Sequence, residues 1–215
     1  MIEQIVKPLL SWYRENRRAL PWREDPSPYH VWISEIMLQQ TRVEAVKEYY
    51  ARFIRELPDI AALAACQEDR LLKLWEGLGY YNRVKNMQKA AKQVTEEYGG
   101  QLPRDYQKLL ALPGIGSYTA GAVASIAYGI PEPAVDGNVF RVLARLTEDE
   151  DDILKQSTRK KVEGNLRRIM PTDEPGDFNQ ALMELGATVC VPNGAPKCND
   201  CPLNHLCGAH QKGTE

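Results

Sequence analysis

Hydrophobic residues recur at intervals of three and four along most of the chain, the spacing that places them on one face of an α-helix. In residues 2–13 these positions are Ile2, Ile5, Val6, Leu9, Leu10 and Tyr13. Pro21 and Pro26 interrupt the pattern, and Ser27 is placed to cap a helix that Pro28 begins. Further helices are predicted over 28–40, 42–56, 68–76, 81–97, 105–112 and 117–127. No segment alternates apolar and polar residues with β-branched enrichment, so we expect an all-α fold without a sheet.

The composition is that of a globular protein with a core, 43% hydrophobic and 26% charged over 215 residues. This length predicts one large domain or two small ones. The sequence has no apolar run long enough to span a membrane. The first residues mix acids and bases and lack a cleavage site, so no signal peptide is expected. We therefore expect a soluble protein of the cytoplasm, associated with the nucleoid if it is bacterial.

The net charge of −2 is unlike the basic charge of most nucleic-acid-binding domains. It is unevenly distributed, because residues 148–152 are five consecutive acids while basic clusters stand elsewhere, as at 159–161 and 167–168. Either a local basic face or a scatter of solvated charges is consistent with this pattern. Net charge therefore does not decide the partner.

Residues 105–127 read as two helices joined by the turn Pro113-Gly114-Ile115-Gly116, with Ser117 as a candidate cap. Two glycines allow unusual dihedral angles in a tight turn. The unpaired N–H groups at the start of the second helix suit an anion such as a phosphate, although a plain helical hairpin fits equally well. With the small residues Ala120 and Gly121 following, the segment has the pattern of a helix-hairpin-helix module that contacts DNA backbone.

Four of the five cysteines lie within the last 26 residues, and only Cys66 stands apart. Their spacing is C-x7-C-x2-C-x5-C, comprising Cys190, Cys198, Cys201 and Cys207. Without a secretory signal, a disulfide framework is a poor explanation. Structural zinc sites usually pair two C-x2-C knuckles or include histidine, and His205 is either an alternative ligand or, more in keeping with its type, a surface residue. One compact loop of four thiolates suits a [4Fe–4S] cluster better.

The hairpin and the cysteine loop together resemble the endonuclease III superfamily of DNA glycosylases, and further motifs resemble its MutY-type adenine DNA glycosylase branch. These motifs are Leu20-Pro-Trp-Arg23, Val31-Trp-Ile-Ser-Glu-Ile-Met-Leu-Gln-Gln-Thr41, Glu76-Gly-Leu-Gly-Tyr-Tyr81, Val135-Asp-Gly-Asn-Val139 and Phe178-Asn-Gln-Ala181. The resemblance extends from about residue 5 to residue 207. It implies a two-lobed helix-hairpin-helix glycosylase fold, with a barrel lobe over 23–131 and a second lobe formed by 1–22 and 132–215.

The reaction implied by this resemblance is hydrolysis of the N-glycosidic bond of adenine mispaired with 8-oxoguanine or guanine, after the base leaves the stack. The implied acid is Glu35, which an apolar helix would favour in its protonated form, whereas Glu44 lies outside the motif and is assigned to solvent. Asp136 is the implied carboxylate that stabilises the cationic sugar, and it also suits an N-cap. Asn138 is implied to orient the acids and the water. Glu35 and Asp136 would face each other across a cleft between the lobes.

Tyr118 occupies the position at which the lyase branch of the superfamily holds its Schiff-base lysine, so the resemblance implies a monofunctional hydrolase in which Tyr118 bonds near the sugar and Asp136. Adenine recognition is implied for Trp22, Arg23 and Gln180, although Trp22 is as readily explained as core. Gln40 and Tyr80 match residues that wedge into the duplex, with Thr41 near the opposite base. The implied backbone contacts are Gly114, Gly116, Ser117 and Arg83, with Lys89 as a further candidate.

Two features depart from the branch. The first gap between cysteines is seven residues in this chain, where the branch usually has six, and Cys190 is retained as a ligand because a surface loop can bulge. Members of the branch usually continue into a Nudix-like domain, so the chain is expected to be either a catalytic fragment or a short member. The expected partner is double-stranded DNA containing mispaired adenine, bound by a monomer without a membrane. Three rival functions are a DNA-binding module without catalysis, an iron–sulfur electron carrier and a thymine mismatch glycosylase, whose members depart from Leu-Gln-Gln-Thr and from an acid at position 35.

Overall fold

The structure is a computed structural model that describes residues 2–215. Every regular element of this part of the chain is helical, which confirms the predicted all-α class. The chain divides into two compact units, one formed by the residues up to Arg18 together with Gly129–Glu215, and the other by Ala19–Tyr128. The divisions between these units follow Arg18 and Tyr128, whereas the predicted lobes are divided after residues 22 and 131.

The α-helices are α1 (Val6–Asn16), α2 (Pro21–Glu24), α3 (Pro28–Leu38), α4 (Val43–Glu56), α5 (Ile60–Ala65), α6 (Glu68–Trp75), α7 (Asn82–Tyr98), α8 (Tyr106–Leu110), α9 (Ser117–Ala122), α10 (Gly137–Thr147), α11 (Gln156–Ile169), α12 (Pro175–Thr188) and α13 (Gly208–Lys212). Short 3₁₀ turns cover Ile2–Ile5, Cys198–Asp200 and Asn204–Leu206, and α9 continues as a π-helical turn over Val123–Ala127. No helix among the described residues is long and apolar enough to cross a membrane.

The unit Ala19–Tyr128 is built around large buried side chains from α3, α4 and α6. Trp32, Phe53 and Trp75 are completely buried, and the rings of Phe53 and Trp75 meet edge to face with centroids 6.1 Å apart. Around them, α5 packs against α7, and α3 packs against both α4 and α9. These contacts fix α3 and α9, which carry the candidate chemistry of this unit.

The other unit is centred on α10 and α12, which pack against each other, with α1 packed on α12. The apolar face predicted for residues 2–13 supplies Ile5, Leu9 and Tyr13 to this core, where they meet Phe140 and Phe178. Burial of such faces is the main favourable contribution to folding. The cysteine-rich segment closes one side of the same core, because Cys190, Cys201, Leu203 and Cys207 pack against it.

Several helices differ from the sequence prediction for local physical reasons. Pro21 begins a short helix instead of interrupting one, since a proline has no N–H to lose at the first helical position. The segment Ile60–Ala65 lacks a polar face and so shows no periodicity, although Asp59 caps it by accepting from the Ala62 N–H at 2.7 Å. Helix α3 ends at Leu38, before the predicted residue 40, because Gln39 is extended with a ψ of 112° and Gln40 has a φ of 59°.

Candidate functional site

Glu35 is a buried carboxyl group on α3, with 6% of its surface exposed. The helix is anchored at its start by Ser27, whose hydroxyl accepts from the His30 N–H at 3.3 Å, as predicted. The Tyr118 hydroxyl donates a hydrogen bond to Oε2 of Glu35. Burial of a polar group costs free energy unless it is hydrogen-bonded, so this contact supports the placement of Glu35. Glu44, by contrast, is exposed and pairs with Lys47 at 3.0 Å.

The hairpin that precedes Tyr118 places α9 against α3. Gly114 has a φ of 75°, and a Cβ atom there would lie 2.7 Å from the Cβ atom of Asn86. Gly116 has an extended conformation with a φ of −93° and open space around it, so only the first glycine needs the left-handed region. Ser117 is not the cap that the sequence predicts, because it is the first helical residue and Gly116 occupies the N-cap. No side chain caps the first N–H groups of α9, which leaves them available to another acceptor.

Gln40 and Tyr80 share an unusual backbone conformation. Together with Glu148, they are the residues other than glycine that have a positive φ in the described chain, at 59° for Gln40 and 47° for Tyr80. Both are exposed, and 66% of the Tyr80 surface is accessible. Non-glycine residues in this region are uncommon and cluster at functional positions. Thr41 is half-buried, and its hydroxyl donates to the Gln39 carbonyl at 3.4 Å.

Arg83 is directed at the backbone of its own unit. Its guanidinium donates to the carbonyls of Ile36, Met37, Gln39, Leu78 and Gly79 over distances of 2.6–3.2 Å. These bonds use the N–H groups that the predicted phosphate contact would require. The sequence does not reveal this arrangement because the carbonyls of Ile36, Met37 and Gln39 lie more than 40 residues away.

Trp22 and Arg23 lie on α2 in the unit Ala19–Tyr128, whereas Gln180 lies on α12 in the other unit. Trp22 is buried, and its ring meets the edge of Tyr50 at 5.5 Å between centroids. This packing corresponds to the core interpretation that the sequence left open for Trp22. Gln180 is half-buried and follows Asn179, which is fully buried.

Asp136 caps α10, as its position before an apolar helix predicts. Its Oδ1 accepts from the Val139 N–H at 2.8 Å, and its Oδ2 accepts from Nδ2 of Asn138 at 2.7 Å. Both carboxylate oxygens therefore have donors, which fixes the orientation of the side chain. Asn138 is thus the orienting partner of Asp136 within this unit.

Arg141 is a residue of this site that the sequence analysis did not identify. Its Nη2 donates to Oδ1 of Asn138 and to the Gly186 carbonyl, both at 2.8 Å, and its Nε donates to the Cys190 carbonyl at 2.8 Å. Burial lowers the pKa of its guanidinium. The available sequence signal was an arginine three residues after Asn138 on an apolar helix. Gly186 permits the close approach, since a Cβ atom there would lie 2.6 Å from that of Asn138.

Asn179 was likewise not assigned a role of its own. It accepts from the Ala134 N–H at 3.1 Å and donates to the Glu132 carbonyl at 2.9 Å. These bonds hold the extended segment that leads into Asp136. A fully buried asparagine that satisfies backbone groups in this way is a structural anchor for the neighbouring cap.

The four clustered cysteines line one cavity, together with apolar side chains that include Val142, Leu146 and Leu185. All four thiols are free and half-buried. Burial raises the pKa of Cys201 to about 11, and the other three thiols add to the shift because nearby thiolates repel one another. Arg145 donates to the Cys190 sulfur at 3.3 Å. Four converging thiols beside a cation are a donor set that fits a thiolate-bound metal centre.

Of the histidines that could serve as ligands, His205 is the surface residue that one interpretation of the sequence expects. His205 is exposed and does not line the cavity, whereas His210 does. Ligand atoms of Cys198, His210 and Glu215 lie within 4.8 Å of one another. This second donor set keeps zinc as the competing metal, since zinc accepts mixed sulfur, nitrogen and oxygen ligands.

Comparison with known proteins gives both a family and relatives. Residues 33–171 match the model of the HhH-GPD superfamily base excision DNA repair proteins. The adenine DNA glycosylase of Rattus norvegicus is 45% identical over 213 residues, a match that covers 95% of this chain and 41% of the rat protein. The chain therefore spans about two fifths of the length of that relative.

Solved structures give a consistent result. A thermostable thymine-DNA glycosylase is similar with a TM-score of 0.89 and 30% identity, over 98% of this chain and 97% of that chain. A non-covalent endonuclease III–DNA complex is similar with a TM-score of 0.80 and 28% identity, over 99% and 98% of the two chains. From the matched family model and these similarities, we conclude that the chain belongs to the HhH-GPD superfamily of base excision DNA repair proteins.

Proposed function

We propose that this chain is a monofunctional DNA glycosylase that hydrolyses the N-glycosidic bond of adenine mispaired with 8-oxoguanine or guanine. The observation that carries the proposal is the hydrogen bond from Tyr118 to the buried carboxyl of Glu35. It joins the candidate acid to Tyr118, two residues after the second hairpin glycine, at the position where a lyase of the superfamily would hold a lysine. The sequence similarity to proteins named adenine DNA glycosylase supports adenine as the base.

Glu35 is the proposed general acid. Adenine is a poor leaving group until a ring nitrogen is protonated, so the Glu35 carboxyl gives its proton to the base as the glycosidic bond breaks. The electron pair of that bond leaves with adenine, and the sugar becomes an oxocarbenium-like cation. The Tyr118 hydroxyl donates to Oε2, which holds the Glu35 carboxyl in one orientation for this proton transfer.

Asp136 is the proposed counter-charge for the cationic sugar. Both of its oxygens already accept hydrogen bonds, so the carboxylate is held in place before the charge develops. Water then adds to the anomeric carbon and gives its proton to the Glu35 carboxylate, which restores the acid and yields an abasic site. Asn138 orients Asp136 and the water, and Arg141 holds Asn138.

The proposed partner is double-stranded DNA containing mispaired adenine. The uncapped start of α9 and the glycines Gly114 and Gly116 support a contact with a backbone phosphate. Gln40 and Tyr80 enter the duplex as a wedge, with Thr41 beside the opposite base, and their exposed, strained conformations support this role. Trp22, Arg23 and Gln180 are the proposed contacts of the extruded adenine.

A [4Fe–4S] cluster held by Cys190, Cys198, Cys201 and Cys207 is the proposed cofactor. Hydrolysis requires no electrons, so the cluster would supply structure to the loop that its ligands define. Arg145 donates to the sulfur of one ligand, and Arg141 donates to the backbone carbonyl of the same residue. This chain therefore provides cationic partners for the negative charge that four thiolates bring.

A thymine-DNA glycosylase is the second candidate, because a structure of that name is similar over nearly the whole chain. The test is a set of single-turnover reactions on duplexes in which adenine stands opposite 8-oxoguanine, guanine, cytosine or thymine, with thymine opposite guanine as the competing substrate. We expect excision to be fastest for adenine opposite 8-oxoguanine and guanine. Excision of thymine without excision of adenine would replace the proposal with the second candidate.

A further inference from the structure

Arg83 connects two chain segments that are distant in sequence. Its Nη1 donates to the carbonyls of Ile36 (2.9 Å), Met37 (3.1 Å) and Gln39 (2.6 Å) at the end of α3. Its Nη2 donates to the carbonyls of Leu78 (2.9 Å) and Gly79 (3.2 Å) in the turn before α7. One guanidinium therefore fixes the distance between the end of α3 and this turn.

Each of these segments leads directly into a residue with positive φ. Gln40 follows Gln39 with a φ of 59°, and Tyr80 follows Gly79 with a φ of 47°. Such conformations are unfavourable for residues with a Cβ atom and persist only where the surrounding structure imposes them. In both segments Arg83 donates to the carbonyl of the residue immediately before the one with positive φ, namely Gln39 before Gln40 and Gly79 before Tyr80.

The arrangement places a cation at the carbonyl end of α3 and beside the Gly79 carbonyl, which also accepts from Nε1 of Trp75 at 3.0 Å. The last carbonyls of a helix lack intrahelical donors and lie at its negative end, which attracts a cation. The Arg83 guanidinium lies 5.3 Å from the Trp75 ring and 5.7 Å from the Tyr80 ring. Its Nε–H is buried without a hydrogen-bond partner, and burial lowers its pKa. Arg83 therefore bears a desolvation cost while it holds two strained turns.

We propose that Arg83 is a positioning residue that sets Gln40 and Tyr80 in their wedge conformations before the protein meets DNA. This inference rests on the proposed function, in which those two side chains enter the duplex as the adenine leaves it. Loss of the guanidinium would slow extrusion of the base, whereas proton transfer from Glu35 would be unaffected. Lysine cannot replace it, because a single ammonium group lacks the planar fork that reaches both segments.

The test compares Arg83→Lys with Arg52→Lys. Arg52 lies in the same unit, donates to the Leu74 carbonyl at 3.1 Å and stacks 4.8 Å from the Tyr49 ring, but it contacts neither strained turn. The probe is a duplex with adenine opposite 8-oxoguanine and fluorescent 2-aminopurine as the neighbour of that adenine. Stopped-flow fluorescence then measures unstacking, and product analysis measures excision.

We expect Arg83→Lys to slow the fluorescence rise about tenfold, because small displacements of positioning groups have effects of this size or larger. Arg52→Lys should remain within about twofold of the unmodified protein, as is usual for exposed substitutions. Glu35→Gln should retain the fluorescence rise and lose excision. Equal unstacking rates for the two arginine variants would overturn the proposal.

A double-mutant cycle tests whether Arg83 acts through the wedge residues. If it does, Arg83→Lys should add little to the defect of a chain that already carries Gln40→Ala and Tyr80→Ala, because the side chains it positions are gone. Fully additive defects would contradict the proposal.

Hydrogen exchange of the unmodified protein without DNA tests the same point if Arg83→Lys does not fold. The amides of Thr41 and Arg83 donate to Leu38 (3.3 Å) and Tyr80 (2.9 Å), and the Gln101 amide donates to Tyr98 at 3.3 Å in a turn that Arg83 does not touch. Preset wedge turns predict slower exchange at Thr41 and Arg83 than at Gln101. Equal exchange would overturn the proposal, whereas failure of the unmodified protein to excise adenine would overturn only the proposed function.

Discussion

The hydroxyl of Tyr118 donates a hydrogen bond to the carboxyl group of Glu35, although 83 residues separate them in the chain. Glu35 is buried on α3, and Tyr118 is the second residue of α9, after the Gly114–Gly116 turn. The backbone of the hairpin thus determines what the candidate acid contacts. Substitutions at Tyr118 should therefore change the rate of base excision, and substitutions in the turn should change stability and DNA affinity.

Tyr118→Phe removes the hydroxyl and keeps the ring. The Glu35 carboxyl would lose a donor that fixes its orientation, so we expect single-turnover excision to fall about tenfold, within the usual contribution of a positioned acid. The matched control is Tyr128→Phe, which removes a hydroxyl that donates to the Leu102 carbonyl in the same unit. A control variant as slow as Tyr118→Phe would show that the effect is general destabilisation.

Tyr118→Lys places an amine beside the proposed sugar site. A neighbouring carboxylate favours the charged amine while desolvation opposes it, so a usable fraction of free amine is expected. We predict strand cleavage and an enzyme–DNA adduct that borohydride traps, with adenine excision reduced but present. The unmodified chain and Tyr118→Phe should give only abasic sites. A lysine variant that excises adenine but traps no adduct would show that position 118 does not face the sugar.

Much of what is local in this structure could be predicted from the sequence. Ser27 before Pro28 and Asp136 before an apolar run are caps that each depend on a few consecutive residues. Ile60–Ala65 was missed because a uniformly apolar segment has no period to detect. The distant partners of Arg83 and Arg141, such as the Gln39 and Gly186 carbonyls, could not be predicted, because tertiary packing brings them close.

The two hairpin glycines should respond differently to alanine. Gly114→Ala places a Cβ atom 2.7 Å from Asn86 at a φ of 75°, and this backbone conformation alone costs about 1–2 kcal/mol in a residue with a side chain. Gly116→Ala meets no atom within 4 Å and keeps an allowed φ of −93°. We expect Gly114→Ala to lower both the unfolding temperature and the affinity for duplex DNA. Gly116→Ala should change both quantities little. Equal affinities would exclude the turn conformation as a determinant of DNA binding.

The cysteine loop makes a prediction about metal content. Four thiols that line one cavity should hold a [4Fe–4S] cluster, so the purified protein should be brown and contain about four irons per chain. Cys198→Ser should lose iron and unfold at a lower temperature, whereas Cys66→Ser, at the cysteine outside the cavity, should keep both properties. A colourless protein with one zinc ion would favour the mixed set of Cys198, His210 and Glu215.

Glu35→Gln, compared with Glu44→Gln, tests the central claim most directly. Glu35 is buried and bonded to Tyr118, whereas Glu44 is exposed and paired with Lys47 on its own helix. The measurement is the single-turnover rate of adenine excision opposite 8-oxoguanine, with DNA affinity and thermal unfolding followed in parallel. We predict that Glu35→Gln binds DNA and folds normally but loses excision by a factor of about 10² or more, the contribution expected of a general acid, while Glu44→Gln is unchanged. Near-normal excision by Glu35→Gln would contradict the assignment of Glu35 as the acid.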